Sequence, residues 1–176
     1  RRTAVARRML ILGLDPGSLH TGYGLVDRQG SSLRLLEVGR ISCPRDLALP
    51  ARLGLLAGRL AELLARHPPD LAAVETPFHG LNARSLIVLA QARGALLATL
   101  ATGGVEVREY SPAEVKSAVT GNGRADKTQV ARMVKLLLAA EPAASAAWAS
   151  DGTDALALAL CCAQRLRMDR LTRQNS

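Results

Sequence analysis

One short apolar segment narrows the choice of fold more than any other part of the sequence. The run "MLILGL" ends directly on Asp15 and is followed by Pro16 and Gly17. Its length and its turn-forming boundary predict a buried β-strand over residues 10–14. A carboxylate at the end of such a strand is costly without water or a partner, which makes Asp15 a candidate functional residue. Taken alone, Asp15 is explained more simply as a turn residue before Pro16.

The elements after this strand predict an α/β domain built on a mixed five-stranded sheet. Residues 21–27 and 33–42 are predicted strands that follow too closely for helical crossovers, so the first three strands form an antiparallel meander. The later predicted elements are a helix over 51–66, a strand over 71–75, a helix over 82–102, a strand over 105–110, and helices over 111–119, 127–140 and from 151 onward. This order favours a sheet flanked by helices, with the first, fourth and fifth strands as its central parallel set. Ligands usually bind at the carboxyl ends of such strands.

Three further carboxylates fall at the ends of predicted elements. Glu75 closes the apolar strand "LAAVE", and Asp151 and Asp154 fall in the first turn of the last helix. A spacing of three places both aspartates on one helical face, where the positive end of the helix dipole favours negative charge. Each residue also has a structural explanation. Glu75 is then an exposed strand end, Asp151 a helix cap and Asp154 a partner of the helix dipole.

Four carboxylates from two adjacent strand ends and one helix terminus would repel one another in a medium of low dielectric constant. Divalent cations compensate for that repulsion, and all-oxygen ligands select Mg²⁺ or Mn²⁺ over zinc. Two such ions about 4 Å apart activate a water molecule and stabilise the leaving oxygen in phosphodiester cleavage. The small residues Gly17, Gly22 and Gly24 leave room for a metal and a phosphate to approach the backbone. Hairpin and strand geometry is the alternative explanation for Gly22 and Gly24.

The charge balance favours a polyanionic partner. The 176 residues carry a formal net charge of +8, which favours nucleic acid first and an anionic membrane surface second. An arginine-rich composition is equally typical of a GC-rich genome. No apolar run of 18 or more residues is free of charge, so no membrane span is predicted, and the apolar run after "RRTAVARR" is too short for a signal sequence.

The three cysteines indicate a reducing compartment. Cys43, Cys161 and Cys162 lack the spacing of a zinc site. Cys161 and Cys162 fall in an apolar helical pattern. They are predicted to be reduced core residues of a cytoplasmic protein.

Five segments resemble, in order and spacing, the RuvC family of crossover junction endodeoxyribonucleases. They read "LGLDPGSLHTGYGLV", "VETPF", "LAQARGAL", "EYSPAEVKSAVTGNGRADKTQVARMV" and "SDGTDALALAL". The resemblance covers residues 9–165, and its most specific part lies over 109–134. It implies an RNase H-like fold and a homodimeric, Mg²⁺-dependent enzyme with two ions per site, for which Mn²⁺ substitutes. It also implies paired nicks in a four-way (Holliday) DNA junction, with 5′-phosphate and 3′-hydroxyl ends, and a partnership with the RuvA–RuvB branch-migration complex.

The same resemblance assigns roles to individual residues. The four acidic positions of the family, which are both catalytic and metal-binding, fall on Asp15, Glu75, Asp151 and Asp154. The position of Asp151 is either Asp or His among members, so an all-carboxylate site is expected here. A basic pair of the family falls on Lys116 and Lys127, and an aromatic position falls on Phe78.

The loop and basic residues near these positions are predicted DNA contacts. Phe78 lies in the loop "TPFHGLN", where stacking on a base is the prediction and packing back on the core is the alternative. His79 is read as a loop residue, with a proton shuttle as the alternative. Arg124 joins Lys116 and Lys127 as a predicted phosphate contact around a Gly-rich loop. A solvated helix face is the preferred explanation for Arg132 or Lys135.

Two uses of the helix predicted over 82–102 stay open in the sequence. Arg84 and Arg93 face either DNA or water. The apolar side of the helix supplies the core, a dimer seam or both, through Leu86, Leu89, Ala90, Leu96 and Leu97.

The chain is predicted to form one nuclease domain over residues 9–169, with an N-terminal extension over 1–8 and a C-terminal tail over 170–176. Three other functions compete with a junction nuclease. An actin-like ATPase or sugar kinase needs a second similar domain, for which the chain is too short. A non-catalytic junction-binding protein does not need all four carboxylates. A related nuclease for ribosomal RNA precursors does not explain the segment from Lys116 to Lys127.

Overall fold

The fold contains a sheet and two helical layers. The computed structural model describes residues 8–76, 82–138 and 148–174, with side chains as far as residue 169. The strands are β1 (Arg8–Asp15), β2 (His20–Gln29), β3 (Ser32–Ser42), β4 (Leu71–Glu75) and β5 (Glu106–Tyr110). The helices are α1 (Leu49–Arg66), α2 (Ala83–Thr102), α3 (Pro112–Thr120), α4 (Lys127–Leu137) and α5 (Ser150–Gln174).

The five strands form one mixed sheet in the order β3-β2-β1-β4-β5. β1, β2 and β3 pair as an antiparallel meander, and β4 and β5 add in parallel on the other side of β1. The mixed sheet, the meander and the parallel set are therefore confirmed. β5 is an edge strand, so its predicted central place is wrong, because no later element of the described chain adds a strand beyond it.

Apolar residues of β1 alternate between two cores, one on each face of the sheet. Leu12 and Leu14 belong to the core under α1 and α2. Ile11 belongs to the core under α3, α4 and α5, in which Leu156 and Leu160 of α5 are fully buried. Asp15, two residues after Gly13 and four after Ile11, therefore points toward the α5 face.

Side-chain caps define where α2, α3 and α4 begin, and the sequence predicts the caps of α2 and α3. The Asn82 side chain accepts a hydrogen bond from the Ser85 amide at 2.9 Å at the start of α2. Ser111 and Glu114 form the predicted capping box of α3. α3 ends at Gly121, whose φ of +77° is a left-handed conformation that favours glycine. A second box, formed by Asp126 and Gln129, begins α4.

Helix α2 is the one helix of the described residues that is long and apolar enough to cross a membrane by length and composition alone. Its Ala92, Leu96 and Leu100 lie in the core on the face shared with α1. Its Arg93 is 13 % exposed and makes an ion pair with β5. We therefore interpret α2 as a layer of this domain.

The domain boundaries stay predictions. β1 already begins at Arg8, inside the predicted extension, and α5 continues to Gln174, inside the predicted tail. α4 ends at Leu137, and residues 139 and 140 of the predicted helix lie outside the described residues. Cys43, Cys161 and Cys162 are free and buried, which agrees with the predicted reduced core cysteines.

Candidate active site

Three carboxylates meet in one pocket at the carboxyl edge of the sheet. Asp15 is the last residue of β1 and Glu75 the last residue of β4, and these strands are neighbours because Leu14 pairs with Val74. Asp154 reaches the same pocket from the first turns of α5. The pocket holds about 270 Å³ and is lined by all three carboxylates. The two strand ends and the start of α5 therefore meet at this edge of the sheet, as the sequence predicts.

Burial and mutual repulsion make the charged form of Asp15 unfavourable. The pKa of Asp15 is raised from 3.8 to about 7, first by burial and then by the neighbouring Asp154, Glu75 and Asp151. The pKa of Glu75 is also raised, first by burial and then by Asp154. The pocket therefore holds negative charge that its own surroundings do not fully compensate.

Two lysines supply positive charge on one side of this pocket. Lys127, the first residue of α4, places its Nζ 3.2 Å from an oxygen of Asp154, and this carboxylate raises the pKa of Lys127. Lys116 of α3 lines the same pocket. The charges of both lysines lower the pKa of Glu75, so both predicted basic residues act on the acidic cluster.

Asp151, the fourth predicted carboxylate, lies at the side of the cluster rather than in the lining of this pocket. One of its oxygens is 3.7 Å from Nη1 of Arg40 on β3. Its other oxygen accepts a hydrogen bond from the Ser150 hydroxyl at 3.3 Å. Asp151 still raises the pKa of Asp15, so it belongs electrostatically to the same group.

The glycines near Asp15 accommodate protein backbone. A Cβ at Gly13 would collide with the carbonyl oxygen of Ala155, and one at Gly22 with that of Asp151. A Cβ at Gly24 would meet the Leu156 side chain, and one at Gly17 the carbonyl oxygen of His20. The expectation that Gly17, Gly22 and Gly24 leave room for a metal and a phosphate is wrong, because α5 and the chain itself fill that space. The small size of Gly22 and Gly24 instead lets α5 approach the sheet closely enough to present its aspartates, whereas at Gly17 the chain packs against its own turn.

The donor set fits a hard divalent cation. Within residues 8–76, 82–138 and 148–174, no three Asp, Glu, His or Cys side chains are already grouped closely enough to enclose a metal ion. The oxygen donors that line the pocket are nevertheless the carboxylates of Asp15, Glu75 and Asp154, and carboxylates are ligands that Mg²⁺ and Mn²⁺ prefer. The raised pKa of Asp15 shows that its charged form is unfavourable in the pocket without a cation. A bound cation would favour the charged form.

The prediction that Arg93 faces DNA or water is wrong. Its Nε donates a hydrogen bond to the backbone carbonyl of Glu75 at 3.2 Å. Its Nη2 lies 2.7 Å from a carboxylate oxygen of Glu109 on β5. Arg93 thereby joins α2 to the ends of two parallel strands, one of which carries a predicted catalytic residue.

The remaining predicted DNA contacts are placed unequally. Arg124 is exposed in the turn between α3 and α4, where its amide donates to the Asn122 side chain at 3.0 Å. It does not line the acidic pocket. Phe78 and His79 lie outside the described residues, so their predicted roles stay predictions.

Comparison with known proteins decides the family. Residues 11–162 match the family model "Crossover junction endodeoxyribonuclease RuvC". The chain belongs to the RuvC family. Enzymes of this family are metal-dependent hydrolytic nucleases that act in DNA recombination and repair. The resemblance stated from the sequence is thereby confirmed.

Two bacterial relatives and one solved structure show the extent of the similarity. A crossover junction endodeoxyribonuclease RuvC of Anaeromyxobacter dehalogenans is 48 % identical over 153 residues, covering 87 % of this chain and 80 % of the relative. That of Solidesulfovibrio magneticus is 43 % identical over 162 residues, covering 92 % and 94 %. The structure of Thermus thermophilus RuvC in complex with a Holliday junction substrate has a TM-score of 0.84 and 34 % identity, covering 92 % of this chain and 96 % of that one. This structural match confirms the predicted RNase H-like fold class.

Proposed function

We propose that this protein resolves four-way DNA junctions by paired, symmetric nicks, as a metal-dependent endonuclease. The observation that carries the proposal is the pocket in which Asp15, Glu75 and Asp154 face one another. Burial among like charges leaves Asp15 in need of a cation, and cations held by carboxylates are the means by which many nucleases cleave phosphodiesters. Membership of the RuvC family supports a junction as the substrate.

The proposed metal ligands are Asp15, Glu75, Asp151 and Asp154. Two Mg²⁺ ions, replaceable by Mn²⁺, supply activation of the attacking water and stabilisation of the departing 3′-oxygen when they are bound. The protein contributes rigidity, because Asp15 and Glu75 end paired strands and both aspartates of α5 begin a helix that is docked on those strands. Ligands on such elements are held more accurately than ligands on loops.

The proposed role of Lys116 and Lys127 is to hold the phosphates of the cleaved strand near these carboxylates. Both are ammonium groups at the rim of the pocket, and an ammonium group binds phosphate as a point charge. Lys127 is bound to Asp154 at 3.2 Å while its side chain is 86 % exposed. An incoming phosphate can therefore share or replace that pairing. Arg124 contributes a further phosphate contact from its exposed turn.

The proposed assembly is a homodimer that uses the uncovered side of α2. Leu96 is buried in the core, whereas Ile87 is 59 % exposed and Ala90 is exposed on the same helix. Apolar exposure of this kind marks a contact surface.

Three further proposals rest on family membership. They are base stacking by Phe78, a cytoplasmic location and a partnership with the RuvA–RuvB complex.

A synthetic four-way junction incubated with the protein and Mg²⁺ tests the proposed function. We expect paired nicks at symmetric positions in opposed strands, with ends that a ligase seals. Asp15→Asn should abolish the nicks and retain junction binding. Asp169→Asn is the matched control, because Asp169 lies on the same α5 helix about 22 Å beyond Asp154 and should change neither property.

Each competing function has its own outcome in this assay. Junction binding by the unaltered protein without nicks would mean a non-catalytic junction binder. ATP turnover without DNA would mean a nucleotide-dependent enzyme of the actin-like or sugar kinase class. Cleavage of a ribosomal RNA precursor in preference to the junction would mean the related RNA nuclease. Loss of both nicking and binding in a folded Asp15→Asn protein would contradict the role given to Asp15.

A further inference from the structure

Arg40 lies in the same row of the sheet as Asp15. Arg40 of β3 pairs with Gly22 of β2, and Gly22 pairs with Asp15 of β1. Paired residues of neighbouring strands point to the same face. Val38, two residues before Arg40, packs against the core of the α5 face, so Arg40 also points to that face. Two strand spacings separate Arg40 from Asp15, a distance of roughly 10 Å.

Asp151 occupies the gap that Gly22 leaves between these two residues. A Cβ at Gly22 would collide with the backbone of Asp151, so the first turn of α5 lies directly over this glycine. From there the Asp151 carboxylate reaches Arg40 on one side, at 3.7 Å from its Nη1. On the other side its charge acts on Asp15 and raises the pKa of that residue.

Positive charge therefore flanks the carboxylates at two opposite sides. Lys116 and Lys127 stand on the side of α3 and α4, where they line the acidic pocket. Arg40 stands on the side of β3, where its side chain is 43 % exposed. Its distance of 3.7 Å from Asp151 is longer than a hydrogen bond, so the guanidinium keeps its donors available to another anion.

We propose that Arg40 is a DNA contact of this active site and binds a phosphate of the cleaved strand on the side opposite Lys116 and Lys127. This inference rests on the proposed junction nuclease function. A DNA strand that crosses the carboxylates from α4 toward β3 would pass the two lysines first and Arg40 last. The planar guanidinium can bind two phosphate oxygens at once, whereas the structure brings it near only one oxygen of Asp151, at 3.7 Å. Exchange of Asp151 for a phosphate leaves the Asp151 carboxylate to the cation.

The salt dependence of junction binding tests this proposal. The logarithm of the binding constant falls with the logarithm of salt concentration, with a slope of about 0.9 per phosphate contact. Binding is measured by fluorescence anisotropy against NaCl concentration in a chelator, because Mg²⁺ would compete for the same phosphates, and in an Asp15→Asn background that is expected not to cleave. We expect Arg40→Gln to reduce the slope by about 0.9 for each Arg40 in the complex, and Arg40→Lys to restore it.

Arg8→Gln is the matched control. Arg8 is also an exposed arginine paired with an aspartate, since its Nε lies 2.8 Å from Asp27. It begins β1 at the end opposite Asp15, so its replacement should leave the slope unchanged.

The outcomes separate this inference from the function on which it rests. An unchanged slope in Arg40→Gln would show that Arg40 serves only Asp151 and would overturn the inference, while nicking by the otherwise unaltered protein would keep the proposed function intact. An equal reduction in Arg8→Gln would also overturn it, because the effect would then be one of net charge. Failure of the unaltered protein to bind or nick the junction would instead contradict the proposed function.

Discussion

Arg93 binds the backbone of Glu75, and the bond joins α2 to the strand end that carries a proposed metal ligand. Nε donates to the Glu75 carbonyl at 3.2 Å, and Nη2 is paired with Glu109 at 2.7 Å. Only 13 % of the Arg93 side chain is exposed, so few water molecules can replace these contacts. The position of Glu75 therefore depends on a residue that does not line the acidic pocket.

Arg93→Met should lower the nicking rate with little change in junction affinity. Displacement of an active-site group by about 1 Å can reduce turnover on the order of 100-fold, whereas Arg93 lies outside the acidic pocket. We expect a loss of about 1–3 kcal/mol of unfolding free energy as well. Single-turnover cleavage, anisotropy and urea unfolding measure the three quantities separately.

Two variants distinguish positioning by Arg93 from a general loss of stability. Glu109→Gln removes the ion pair and leaves the bond from Arg93 to the Glu75 carbonyl, so it should retain most activity. Arg84→Met removes an exposed arginine from the same helix and should change none of the three quantities. Arg93→Met with a normal cleavage rate would show that Glu75 keeps its place without this bond.

Without metal, Asp15→Asn should stabilise the protein in a manner that depends on pH. The pKa of Asp15 is about 7 in the folded protein against 3.8 ordinarily, so the folded state holds its proton more tightly than the unfolded state. Ionisation of Asp15 therefore costs the folded state free energy of unfolding. This loss is absent below about pH 4, grows as pH rises toward 7, and is complete above 7. At about 1.4 kcal/mol per pKa unit, the gain from Asp15→Asn reaches about 4 kcal/mol at high pH. Urea unfolding in a chelator at pH 3.5 and pH 8 checks this, and an equal gain at both values would contradict it.

Mg²⁺ should raise the melting temperature of the unaltered protein. A ligand that binds only the folded state stabilises it by about 2.7 kcal/mol at 100 times its dissociation constant. Asp15→Asn and Glu75→Gln should reduce that rise, whereas Asp169→Asn should not. Calorimetric scans with and without a chelator provide the measurement, and a full rise in Asp15→Asn would place the cation elsewhere.

Gly13→Ala should destabilise the protein strongly, and Gly54→Ala should stabilise it. A Cβ at Gly13 meets the backbone of Ala155, which cannot move without shifting α5, so we expect a loss of about 3 kcal/mol or more. A Cβ at Gly54 of α1 meets nothing within 4 Å, and alanine is favoured there by about 1 kcal/mol. Thermal unfolding of both variants provides the measurement. A Gly13→Ala protein of normal stability would contradict the close packing of α5 on the face of the sheet that carries Gly13.

Local patterns in the sequence predict most of this fold. The meander, the Asn82 cap and the Ser111–Glu114 box each depend on residues that are close together in the chain. The convergence of Asp15, Glu75 and Asp154 is also predictable, because parallel strands end at the same edge of a sheet. These features follow from periodicity, capping chemistry and the order of the strands.

Two of the contacts that the sequence does not predict depend on how elements dock. Arg93 has an ordinary helical pattern around it, and only the placement of α2 against β4 and β5 shows that it is buried. The approach of α5 to Gly22 depends on interlayer distance, which no local pattern encodes. Arg40 is different, because an exact meander register would have placed it in the row of Asp15; the bulge between Leu25 and Val26 hides that register.

The helix that carries Asp151 and Asp154 also supplies the fully buried Leu156 and Leu160 of the core. Docking of α5 on the sheet therefore assembles the proposed catalytic carboxylates and buries the apolar surface of that face in one step. A folding intermediate that lacks docked α5 would be missing the core on that face of the sheet and the working centre together. During refolding, recovery of Mg²⁺ binding should therefore coincide in time with the main cooperative transition.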